Sequence, residues 1–355
     1  IGGRRNIVIN GAMQVAQRST SETGVFDASQ YETIDRFKIN GSTSGRATMS
    51  QSTDTPNGFA NSLKLDCTTA DTSIAAGEFG IIRYLIEGQD LQQIKKGTSD
   101  AEKVTISFYV KGNANATYQL EFKDGDNNRV NAQTFNVTTS WNRIILTFDA
   151  DTTGAFDNDN AASVQLNFWL HAGSNYTSGT FTSNTWQDGS ASDGIRVGSI
   201  TSFFDSTDRT FFLTGLQMEV GEQATPFEHL SQAETEKLCH RYFQSVTYEG
   251  FVSISVGIIY TNGVNAVVPM RYEFGKMRST PTITLPTAGQ SSGGTISLLN
   301  STAGYPTTTG THSVPYANDT TYSIRAASYS GLANASGACW FYPNGDATFQ
   351  YDAEL

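Results

Sequence analysis

Residues 104–111 read VTISFYVK, with Val104, Ile106, Phe108 and Val110 at every second position. A helix would scatter those four side chains around its axis, whereas a strand with one buried face collects them. The same signature recurs along the first half of the chain. It appears at 62–66 (SLKLD), 78–88 (EFGIIRYLIEG), 118–122, 131–137, 141–149 (WNRIILTFD), 164–171 (VQLNFWLH) and 210–220. Turn residues punctuate these runs, as at Pro56-Asn57-Gly58 and across 123–128 (KDGDNN). Residues 7–9 (IVI) read as a further short strand ending in an Asn10-Gly11 turn. Residues 19–30 read as a polar loop, and 89–97 as one helical turn or an irregular loop.

The chain is organised around residues 211–244. Phe211, Phe212 and Leu213 close the first set of strands, and Thr225-Pro226 forms a link. Ser231, with Glu234 three positions on, is a capping box that opens a helix. Beyond it lies a second strand-rich region at 251–260, 265–269, 283–285, 296–298, 322–326, 338–342 and 347–351. Polar loops are expected at 287–294 and 300–321. No fixed internal period is present, which disfavours a solenoid. The expected fold is all-β: an antiparallel jelly-roll sandwich over 1–229, a short linking helix at 230–245, and a second, smaller β-sandwich at 246–355. A length of 355 residues suits two domains, since single cores rarely grow past about 250–300 residues.

The net charge of −11, with 23 Lys and Arg against 34 Asp and Glu, argues against nucleic acid as a partner. No apolar run approaches the ~20 residues of a membrane span, so no membrane insertion is expected. The opening residues carry no signal peptide, and a chain beginning at Ile1 reads as a fragment or processed product. Cys67, Cys239 and Cys339 lie far apart without a C-x-x-C pair and read as reduced packing residues.

Little points to catalysis. His171, His229, His240 and His312 are scattered, and no H-E-x-x-H, G-x-S-x-G or P-loop is present. No enzyme activity and no cofactor are expected. Asp124, Asp126 and Asn128 imitate the start of a calcium loop, but Arg129 stands where the sharp turn needs Gly, and Phe135 where the final Glu belongs. A plain hairpin turn is the expectation there, and no metal ligand is assigned.

Scattered anchors from end to end resemble tailed-phage tail-fibre and fibre-like virion proteins. They are NIVINGAMQVAQR near the start, Asp35-Arg36-Phe37, GLQMEVGEQATPFEHLS, LCHRYFQ and a final DAEL. The first half also resembles jelly-roll carbohydrate-binding modules. It departs from them at Ala12-Met13-Gln14, where Phe-Glu is usual, and at Leu213-Thr214, where an Asp is usual. Those acidic positions often hold a structural Ca²⁺ in such modules, and their replacement removes the grounds for one.

The resemblance implies a homotrimeric fibre domain located on the virion, with other tail or capsid proteins as neighbours. Its implied task is recognition of a host cell-surface polysaccharide. The alternatives are a purely structural virion component, or a carbohydrate-binding module of a secreted enzyme. Sugar binding calls for exposed aromatic faces beside amide and carboxylate groups. Tyr176 and Trp186, with Asn175, Gln187 and Asp188, offer these in the polar stretch 172–197. Trp186 either stacks on a sugar or packs against a neighbouring subunit. Tyr305, Tyr316 and Tyr322 are the candidates in the second half, and Trp141 and Trp169 read as core.

Overall fold

Period-2 alternation becomes strand after strand in the structure, a computed structural model that describes residues 4–189, 193–250, 253–261, 265–288, 295–300, 310–329 and 338–355. The chain divides into two units, Ile1–Glu236 with Leu355, and Lys237–Glu354. The first contains β1 (Ser21–Val25), β2 (Ser29–Tyr31), β3 (Phe37–Ser42), β4 (Arg46–Ser52), β5 (Ser62–Thr69), β6 (Phe79–Glu87) and β7 (Val104–Gly112). It continues with β8 (Ala116–Asp124), β9 (Arg129–Val137), β10 (Asn142–Phe148), β11 (Ala162–Ala172), β12 (Gln187–Asp188) and β13 (Thr210–Val220).

Two antiparallel sheets form a jelly-roll sandwich. One has the order β1-β4-β5-β13-β7-β10, the other β12-β9-β8-β11-β6-β3-β2. Their inner faces share one core, with Leu63, Leu65, Ile106, Phe108 and Leu213 on one side and Ile82, Leu120, Phe122, Leu166 and Phe168 on the other. Phe108 meets Phe168 edge to face across the gap, with ring centroids 5.1 Å apart. Such pairs add about 0.5–1.5 kcal/mol beyond their area burial.

The opening residues depart from the expected strand at 7–9. Their backbone groups are taken by scattered partners: the Ile7 N–H donates to the Met218 carbonyl (3.0 Å), that of Val8 to Asn6 Oδ1 (3.0 Å), and that of Ile9 to the Tyr84 hydroxyl (2.6 Å). Asn10 and Met13 then take positive φ, 60° and 57°, and turn the chain before a ladder can form. Gly11 is required at this crossing, because a Cβ there would lie 2.0 Å from the Leu216 carbonyl oxygen. The expected loop at 19–30 instead holds β1 and β2. Both are edge strands, whose pairing to β4 and β3 overrides a polar local sequence.

A buried ion network closes one end of the sandwich. Lys96 Nζ lies 2.6 Å from Asp124 Oδ2 and 3.1 Å from Asp151 Oδ2, and donates to the carbonyls of Thr153 (2.6 Å) and Gly154 (2.8 Å). Arg129 Nε adds a 2.6 Å contact to Asp151. Asp124 Oδ1 also caps the β8–β9 turn by accepting from the N–H groups of Asp126 and Asn127. Two carboxylates and two carbonyls are a donor set suited to a hard cation, and here the lysine ammonium fills it. All three cysteines are buried and none is in a disulfide.

The boundary between the units falls within a helix, Gln232–Cys239, which is introduced by the reciprocal capping bonds of Ser231 and Glu234. This helix is shorter than 230–245. Residues 243–248 (FQSVTY) pair as a strand instead, consistent with their aromatic and β-branched content. The second unit contains β14 (Phe243–Tyr248), β15 (Ser255–Thr261), β16 (Asn265–Arg271), β17 (Thr282–Thr284), β18 (Thr295–Asn300), β19 (Thr311–Ala317), β20 (Thr321–Ala327), β21 (Ala338–Asn344) and β22 (Ala347–Asp352). Sheets β14-β22-β17 and β18-β21-β15-β16-β20-β19 enclose a core that includes Val246, Phe349, Tyr351, Val268, Ile324 and Phe341. Strand β19 lies where the sequence suggested loop.

Burial opposes the charge of Asp151, yet Arg129, the Thr153 N–H and Lys96 together hold its carboxyl below the usual range. Its contribution to stability is therefore complete above the unfolded carboxylate pKa, about 3.9, and is lost as pH falls through the lower folded value. Urea midpoints followed against pH should drop in that acid window. At neutral pH, Lys96→Met leaves the buried Asp124 without a cation beside an Asp151 that keeps Arg129, and should cost about 3–5 kcal/mol.

Candidate functional site

The outward face of the seven-stranded sheet is polar where its inward face is apolar. Successive residues on a strand point to opposite faces, so the register assigns each outward side chain a neighbour. One row crosses the sheet as Tyr31, Lys38, Arg83, Asn167, Glu121 and Ala132, from β2 to β9. A second row runs Leu85, Gln165, Lys123 and Val130. A third runs Asn40, Ile81, Trp169 and Gln119.

The connection after β11 lies over the third row. It begins with α1 (Ser174–Thr177), and its Val197 and Ile200 pack with Ile81 and Trp169. Tyr176 packs on Trp169 with ring centroids 5.2 Å apart and on Phe79 at 5.7 Å. Gln119 fastens the connection by donating to the Arg196 carbonyl (2.6 Å) and accepting the Gly198 N–H (2.9 Å). Arg196 reaches down from this wall. Its Nε and Nη2 donate to the two oxygens of Glu121 at 2.8 and 2.9 Å, and its guanidinium carbon lies 5.1 Å from the Trp169 ring centre.

A hydrogen-bonded relay follows along the first row. Asn167 Nδ2 donates to Glu121 Oε2 (2.7 Å), and Arg83 Nε donates to Asn167 Oδ1 (2.8 Å). Asn167 and Glu121 are fully buried, whereas Tyr31, Lys38, Arg83, Lys123 and Gln165 are half-buried around them. Burial opposes the charge of Glu121, but the Arg196 guanidinium and the bond from Asn167 hold its carboxyl below the ordinary range. Burial also raises the Tyr176 hydroxyl, and nearby Asp193 raises it further. The result is a walled strip with a rigid amide and carboxylate floor and long donor side chains along it. Such a strip suits a ligand rich in hydroxyl and carboxylate oxygens.

The sequence candidates are dispersed over the molecule. Tyr176 belongs to the wall of this strip. Trp186 lies on the opposite side of the sheet, where its ring meets the inward-facing Phe122 at 5.2 Å and its indole N–H donates to the Asp149 carbonyl (2.7 Å). It packs, partly buried, against the core of its own unit. Asp188 is exposed on β12 opposite Arg129. Tyr316 is 78% exposed on β19, and Tyr305 lies outside the described residues. Arg83, Asn167, Glu121 and Lys123 were not singled out in the sequence. The signal was present as polar residues alternating inside the β6, β8 and β11 runs.

In the second unit, a cleft of about 620 Å³ is lined by Tyr248, Ser255, Arg271, Glu273 and Tyr322 among others. Burial and the adjacent Glu273 push the Tyr248 hydroxyl up to about 12. For a metal, Asp71, Glu78 and His171 bring donor atoms within 4.8 Å of one another. Their carboxylates already anchor loops: Asp71 accepts from Thr43 Oγ1 (2.7 Å) and Glu78 from the Ala75 N–H (2.6 Å).

No protein-family model matches the chain, and no curated protein matches it. Among solved structures, it is similar to the enzymatically active domain of tailspike protein 4 from bacteriophage CBA120, at 14% identity and TM-score 0.31, over 61% of this chain and 21% of that one. The chain thus spans about a fifth of that tailspike's length. It is similar to a family 11 carbohydrate-binding module of Clostridium thermocellum in complex with a β-1,3-1,4-mixed-linked tetrasaccharide, at 11% identity and TM-score 0.29, over 58% of this chain and 99% of that one. It is also similar to the N-terminal cellulose-binding domain of Cellulomonas fimi β-1,4-glucanase C, at 14% identity and TM-score 0.29, over 59% of this chain and 100% of that one. Likenesses of this degree leave the ligand of this chain to be argued from its own residues.

Arg196→Met would strand Glu121 in a dry site and should cost about 3–5 kcal/mol in urea unfolding. Adding Glu121→Gln to that variant should restore part of the loss, because no buried charge then remains.

Proposed function

We propose that the chain is a glycan-recognition fibre protein of a phage virion, binding a bacterial surface polysaccharide through the outer face of its seven-stranded sheet. The observation that carries this reading is the row Lys38–Arg83–Asn167–Glu121, held in register across four strands beside a wall bearing Tyr176 and Arg196. Glycan hydroxyls need fixed donors and acceptors, and the half-buried Lys38, Arg83, Lys123 and Gln165, seated on a relay locked by buried hydrogen bonds, supply them with little reorganisation. The virion setting is supported by the sequence anchors at both ends of the chain and around the capping box.

The same reading makes the chain a homotrimer. In the second unit, Val256, Ile258 and Val267 are 51%, 67% and 37% exposed on the neighbouring strands β15 and β16. A contiguous apolar sheet face calls for cover, and copies of the chain would provide it.

Light scattering on the purified chain should give three times the monomer mass, and Ile258→Asp should reduce it to one. Host-cell binding by the intact trimer should fall about tenfold or more with Arg83→Ala, the scale expected for losing a hydrogen bond to a charged group. Tyr316→Ala should leave that binding unchanged. A trimer that binds no host surface would favour a purely structural virion part.

A further inference from the structure

Charge on the outer sheet face runs against the charge of the chain. The whole sequence has 34 acidic and 23 basic residues. Yet Lys38, Arg83 and Lys123 share two rows of this face, with Arg196 reaching in from the wall. The carboxylates available to them are few. Glu121 is bound at both oxygens by Arg196. Asp193 also pairs with Arg196, at 3.2 Å, from an exposed position. Arg196 thus takes up both acids.

Arg83 is left with an amide partner, Asn167 Oδ1, through its Nε alone. Among the described residues its terminal nitrogens have no hydrogen-bond or ion-pair partner, and neither does Lys123 Nζ. Burial pushes the Arg83 guanidinium below its ordinary value, with Glu121 opposing and the like charge of Arg196 adding to the shift. Burial likewise lowers Lys123, and Arg196 and Arg83 lower it further against Glu121 and Asp193. Half-buried cations that repel one another and have no carboxylate bonded to them would be relieved by an anion.

We propose that the glycan bound on this face is acidic, with the oxyanion of a carboxylated sugar held between Arg83 and Lys123. This rests on the reading that the face binds glycan. Arg83 on β6 and Lys123 on β8 lie on either side of β11 and one row apart, about 12 Å apart at the backbone. Arginine and lysine side chains span that gap and meet one anionic group over Asn167 and Gln165. Asn167 orients the guanidinium from below, so its remaining N–H groups are free for paired hydrogen bonds to an oxyanion. Gln165, beside Lys123, offers an amide to neighbouring hydroxyls. The strip is short and the chain is acidic overall, so an extended nucleic-acid backbone would be repelled beyond it.

The test measures binding of the full chain to oligogalacturonate, dextran sulfate, neutral dextran and single-stranded DNA, with Lys123→Gln and Arg83→Gln as variants. Urea midpoints of both variants establish that they fold. Oligogalacturonate should bind, with affinity falling as salt rises, and each variant should bind it about tenfold more weakly. Binding of dextran sulfate with the same variant sensitivity, and not of the uronate, would overturn the carboxylated sugar and assign the anion site to sulfate. Dextran bound as tightly as the acidic glycans, untouched by Lys123→Gln, would overturn the acidic ligand and leave glycan recognition standing. DNA bound as tightly as the uronate would overturn the assignment to glycan. Absence of binding to every saccharide would overturn this inference together with the reading it rests on.

Discussion

The ion pair between Glu121 and Arg196 is the interaction on which the open sheet face depends. Glu121 sits mid-strand in β8, fully buried, where an unpaired carboxylate would be costly. Arg196 satisfies both of its oxygens from a connection that has little regular structure of its own. The pair therefore does two things. It neutralises the centre of the sheet, and it fixes the connection over Ile81 and Trp169, with Arg83, Lys123 and Gln165 half-buried beside it. The wall and the floor of the strip come from one electrostatic requirement.

The sandwich beneath is built so that this face stays rigid. Strand β11 is buried on both sides, with Phe168 in the shared core and Trp169 beneath the connection. Its neighbour β6 pairs with it from Phe79 to Glu87, and β8 from Gln119 to Asp124. Further along, Lys96 gathers Asp124 and Asp151 where a metal ion would otherwise suit the donors. A covalently tethered ammonium holds the β8–β9 turn, so the order of that end follows from the sequence itself. Ion pairs thus organise two separate regions of a chain poor in charge overall.

Alternation made most strands legible, because a half-buried strand must repeat every second residue. The capping box at Ser231 and Glu234 was equally plain, since its two bonds are local. The edge strands β1 and β2, and β19 in the second unit, were hidden because their pairing partners lie outside any sequence window. Residues 7–9 misled for the opposite reason: an apolar triplet resembles a strand until Asn6, Tyr84 and Met218 are found holding its backbone. The face itself was harder to read. Glu121, Asn167 and Arg83 look like ordinary outward residues of alternating strands, and only the register places them side by side. Trp186 drew attention by its polar surroundings in sequence, yet Phe122 and Asp149 claim it in space.

The most direct test is a structure of the chain bound to an oligosaccharide released from the surface of its host. The prediction is density for the saccharide over Arg83, Gln165 and Lys123, beside the wall formed by Tyr176 and Arg196. A saccharide seated instead in the second unit's cleft, against Tyr248, Arg271 and Glu273, would contradict the assignment of recognition to the seven-stranded sheet.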